Sequence, residues 1–168
     1  MAVDILMKVT GEKSGEFKGE SQKDNAKNFI DLFSFSFGAI QHGAFHKTGA
    51  GGGSGKAEVR DVTVSKQADG VSNSLFGAAF AGEHLNKVEI HCRKTTGDNT
   101  GKTFYKIELY NAVISAIDNQ GAAEASMLTE TITFNTASMK FFYAPQKKDG
   151  TLEAFREASV DMATGKMS

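Results

Sequence analysis

Apolar and polar residues alternate along most of this chain with the period of two that marks half-buried β-strands. The clearest case is Lys87 to Lys94, where Val88, Ile90 and Cys92 share one face and Lys87, Glu89, His91 and Arg93 the other. Thr95 to Gly101 follows as turn chemistry. Phe104 to Ile117 resumes the pattern, with Tyr105, Ile107 and Leu109 on one face, until Asp118-Asn119-Gln120-Gly121 ends it. Two such runs joined by a Gly/Asp/Asn loop predict an antiparallel hairpin. Shorter runs place Ile5, Met7 and Val9 together, then Val62 and Val64, and near the end Ala158, Val160 and Met162. Between Phe29 and Phe37, the phenylalanines at 33, 35 and 37 fall on one face opposite Ser34 and Ser36.

The stretch Leu128 to Tyr143 changes phase. Ile132 and Phe134 hold even positions, whereas Met139, Phe141 and Tyr143 hold odd ones. One register cannot keep both sets on the same face, so a bulge or bend is expected near Asn135 to Ala137. Pro145 then ends the strand. One segment has helical spacing: Asn73 or Ser74 is placed to cap it, Leu75, Phe76, Ala79 and Phe80 form its apolar stripe, and Gly82 closes it. Strands at regular spacing with one short helix predict a mainly β, antiparallel barrel or sandwich. Its core is expected at Val88, Ile90, Cys92, Ile107, Leu109, Ile132 and Phe134. No linker or internal repeat divides residues 1–168, so one domain is expected.

Composition sharpens this picture at few points. A single proline stands where average usage gives about eight. Proline is pushed to strand ends and edges, so its scarcity suggests strands paired on both sides. Nineteen basic residues against twenty acidic ones leave a net charge of −1, with no general attraction for nucleic acid or anionic membrane. No run approaches the roughly 20 apolar residues of a membrane helix. Cys92 is the single cysteine, which excludes an internal disulfide and suits a reducing cytoplasm. Asp4 and Lys8 interrupt the apolar N-terminal residues, so a signal-peptide core is not expected.

Candidate chemistry is sparse. Gly49-Ala50-Gly51-Gly52-Gly53-Ser54-Gly55-Lys56 has the look of a phosphate loop. That motif needs glycine at position 50 and Ser or Thr at 57, where Ala50 and Ala57 stand, and it should open a helix. A long surface loop from Gln41 to Ala57 fits better, and structureless loops beyond ~12–15 residues usually serve binding or stay disordered. His42 and His46 have i, i+4 spacing, but no third Cys, Asp or Glu ligand lies close, and no metal or cofactor is expected. Cys92 sits on an apolar face, where burial raises a thiol pKa and leaves it inert. No nucleophile elbow or spaced carboxylate pair stands out, so a non-enzymatic role is expected.

The order of several segments resembles one family. They are MAVDILMKV, Phe33-Ser34-Phe35-Ser36-Phe37-Gly38, the Gly-rich run ending Gly55-Lys56, and Val59 to Lys66. Leu128 to Phe134, Tyr143-Ala144-Pro145-Gln146 and Lys148-Asp149-Gly150 continue the series. Together they resemble the Hcp (haemolysin-coregulated protein) family of type VI secretion systems over about residues 1–150, and the 151–168 tail departs most. The resemblance implies a β-barrel with a short flanking helix, assembled as a homohexameric ring. It implies rings stacked into a tube inside contractile sheath proteins, a spike protein on top, and effector proteins carried in the lumen. It also implies synthesis in the cytoplasm and export without a signal peptide. By the same resemblance, Phe45, His46, Gly49, Gly51, Gly52, Gly53, Gly55 and Lys56 belong to a loop that contacts the neighbouring ring. The alternative is a monomeric secreted barrel that binds a ligand or acts as a toxin or enzyme.

Overall fold

The computed structural model describes residues 3–41, 57–95 and 100–168. The alternating run at Lys87 becomes β8 (Leu85–Thr95), which pairs antiparallel with β9 (Gly101–Gln120). β8 also pairs with β1 (Val3–Gly11), and β9 with β10 (Thr129–Tyr143). β2 (Gly15–Phe17) folds back on β1. β11 (Arg156–Asp161) and then β12 (Lys166–Met167) extend the sheet beyond β10. Mainly β, antiparallel architecture therefore follows from the period-two pattern.

Closure depends on a short stretch of chain. β3 (Ile30–Leu32) pairs with β1, and β4 (Ser34–Ser36) pairs with β7 (Val62–Gln67), which lies on β10. Residues 30–36 thus bridge β1 to β7, and the circuit β1–β8–β9–β10–β7–β4/β3 returns to β1. Phe33 is the crossing point: its N–H bonds Ser65 O at 2.8 Å, but its ring is 51% exposed. The three phenylalanines therefore do not share a face, contrary to the alternation. Before the crossing the even positions Ile30 and Leu32 are buried; after it Phe35 and Phe37 pack on the core. A strand that changes partner is free to change phase. Phe35 stacks on Tyr105 and on Phe37, which leans on Phe141, forming an aromatic layer inside the barrel.

β10 also changes partner. Thr129 to Phe134 pair with β7, whereas Ser138 to Tyr143 pair with β11. The change of partner falls at 135–137, where the bulge or bend was expected. The register shift itself lies earlier, at Thr133/Phe134 against β9, with Ser115 as the extra residue. The Ser115 hydroxyl bonds Thr133 O at 3.2 Å, satisfying a carbonyl of the disrupted ladder.

The helix α1 (Ser72–Ala81) begins before the expected caps. Val71 occupies the N-cap and supplies no side-chain bond; Asp69 and Ser72 tie the entry turn instead. Gly82, at φ 62°, closes the helix as expected, its N–H reaching the Ala78 and Ala79 carbonyls. The buried stripe is Val71, Leu75 and Ala78, a spacing of i, i+4, i+7. Phe76 and Phe80 lie outside it, 49% and 88% exposed, which corrects the expected stripe. Val62, Val64, Val88, Ile90, Ile107, Leu109, Ile132 and Phe134 are all fully buried, and Cys92 nearly so. Among the described residues, no helix is long and apolar enough to cross a membrane.

Candidate assembly surfaces

The outward face of β1, β8, β9 and β10 carries charge in register. Lys140, Glu108, Glu89 and Lys8 form one row across four strands; Phe142, Lys106, His91 and Leu6 form the next. Glu89 and Glu108 stand directly opposite, an unfavourable pairing unless cations intervene. Lys87 supplies one, 3.1 Å from Glu89 and 3.3 Å from Glu108, and Lys106 reaches Glu108 at 2.7 Å. His91, with Nε2 3.8 Å from Glu89, and then Lys87 hold the Glu89 carboxyl down at about 2, against the opposing effect of burial. Burial works against ionisation of Glu108 too, but Lys106 and the donating Tyr110 hydroxyl keep its carboxyl below the usual range. The result is a sheet face whose charges are neutralised among themselves.

Two segments flank this face. Phe29 meets His91 edge-on, Lys23 bridges Asp4 and Asp31, and Arg93 donates to Asp24 O at 2.8 Å. On the other side Phe155 packs edge-on to Phe142, with Lys106 over both rings. At the far rim, the outer side of β11 is covered only in part. β12 pairs with Val160 and Asp161, and among the described residues no strand pairs with the outer side of Arg156 to Ala158.

β5 (Ala39–Ile40) and β6 (Glu58–Val59) form a two-stranded ribbon. The predicted contact residues Phe45, His46, Gly49, Gly51, Gly52, Gly53, Gly55 and Lys56 lie between its strands and outside the described residues, as does His42. Cys92 is 5% exposed, and burial pushes its thiol up to about 11, so the nucleophilic thiolate is disfavoured. Among the described residues, no three His, Cys, Asp or Glu side chains are grouped to hold a metal.

One group escaped the sequence reading. Lys66 is fully buried beneath the start of α1, its ammonium 2.9 Å from Glu130 Oε2 and 2.8 Å from Asp69 Oδ1. It also donates to Gln67 O, and Ser72 Oγ stands 3.2 Å away. A signal was present: Lys66 shares the parity of Val62 and Val64, and Glu130 that of Ile132 and Phe134. Each strand thus places one charge on its apolar face, and the pairing of β7 with β10 sets the two opposite each other.

Comparison with known proteins agrees with this architecture. Residues 6–143 match the family described as "Type VI secretion system effector, Hcp". The chain is 34% identical over 150 residues to Protein hcp1 of Pseudomonas aeruginosa, covering 89% of this chain and 88% of that one. A solved type six secretion system protein superimposes with a TM-score of 0.87 at 24% identity, covering 99% of this chain and 100% of the other. Hcp1 from Salmonella typhimurium superimposes with a TM-score of 0.77 at 22% identity, over the full length of both chains.

Proposed function

Because the chain belongs to the Hcp family of type VI secretion proteins, we propose that it is a structural subunit of the secretion tube, with six copies closing a ring. A ring needs two unlike patches on each subunit, joined head to tail until the rotation closes. The observation that carries this reading is the pair of unlike surfaces on one sheet: a broad, self-neutralised outer face, and the open outer side of β11 at Arg156 to Ala158. The barrel interior is filled by side chains of the Ile90, Leu109, Ile132 and Phe134 kind, which favours a structural subunit over a ligand-binding barrel. In this role rings stack end to end inside a contractile sheath, a spike protein caps them, and small effectors travel in the lumen. The protein is then made in the cytoplasm and leaves on contraction.

Sedimentation over a micromolar concentration series tests the ring. Six-subunit particles are expected, and monomer at every concentration overturns the proposal. Stacking is assigned to the loop carrying Phe45, His46 and Lys56. Glycine allows close backbone approach there, while ordering each residue costs ~1–2 kcal/mol that a neighbouring ring must offset. Replacing Thr48 to Ser54 by a shorter Gly-Ser turn should leave rings intact and weaken tube formation and secretion. Normal tubes and secretion from that variant would remove the stacking role.

A further inference from the structure

No further inference is drawn: the strongest candidate, the side-chain cluster of His91, Glu89 and Phe29 on the outer face of β8, where His91 Nε2 is buried without a hydrogen-bond partner among the described residues, belongs to the charged sheet face already described, 3.8 Å from Glu89 and met edge-on by Phe29, with nothing in the structure to show a ligand or partner reaching it.

Discussion

Lys66 and Glu130 meet with 0% and 3% of their side chains exposed, so neither charge can turn to water. Lys66→Met would leave Glu130 and Asp69 facing each other without a cation. Breaking a buried pair from one side costs ~3–5 kcal/mol, and urea unfolding should show a loss of that order. A loss below ~0.5 kcal/mol, the range of ordinary surface changes, would show that the group is incidental to stability. Replacing Lys66 and Glu130 together by apolar residues should cost less than either alone, because a matched buried pair can give way to packing. Cys92 makes the opposite case, a reactive group silenced by its surroundings. With its thiol pushed up to about 11, it should resist an aromatic disulfide reagent in the native protein and react promptly in urea. Prompt native labelling would count against its burial on the barrel side of β8.

Two glycines of one helix separate backbone entropy from backbone conformation at the scale of an element. Gly77 lies inside α1, and a Cβ built there meets no atom within 4 Å. Gly77→Ala should therefore stabilise the protein by ~0.5–1 kcal/mol, since glycine loses more freedom on entering a helix. Gly82 closes the same helix at φ 62°, also with open space around it. Alanine there must adopt the left-handed conformation, and Gly82→Ala should destabilise by ~1–2 kcal/mol. Thermal unfolding of the two variants checks the pair. Shifts of the same sign would mean that the helix end has no defined left-handed closure. The helix also shows why one-dimensional spacing misleads: Phe76 and Phe80 are i, i+4 partners, yet the tertiary contacts fall on Val71, Leu75 and Ala78.

At the scale of the molecule, the charged sheet face ties stability to pH from both sides. Glu89 ionises at about 2 in the fold against an ordinary 4.5, and Glu108 is shifted the same way. Their contribution is fully present above pH 4.5. It is lost as pH falls from there towards 2, because the unfolded chain binds those protons first. In alkali the sign reverses. Burial raises the Cys92 thiol from 9.0 to about 11, and burial with the Glu108 contact raises Tyr110 from 10.0 to about 12. The unfolded chain loses these protons first, so stability should fall as pH rises from 9 to 12. Urea midpoints should therefore form a plateau with two falling limbs, and Glu89→Gln should flatten the acid limb alone. An acid limb unchanged by Glu89→Gln would show that the Glu89 contacts do not persist in solution.

Parity along a strand is a local property, legible wherever alternation is unbroken. For that reason Val88, Ile90, Ile107, Leu109, Ile132 and Phe134 could be assigned to one side of their strands from residue order alone. The same holds for the break in β10, because a change from even to odd apolar positions is itself a pattern. Family membership was legible through the order of short segments from the first strand to Gly150. The partner of each strand is not local. Only the fold decided that residues 30–36 cross from β1 to β7 and close the barrel, and this turned Phe33 outward while Leu32 and Phe35 stayed on the core side. Only the fold brought Lys66 within 2.9 Å of Glu130, sixty-four positions along the chain. Alternation says which way a side chain points; what it meets there depends on long-range pairing, and so does whether a charge on the apolar face finds its counter-charge.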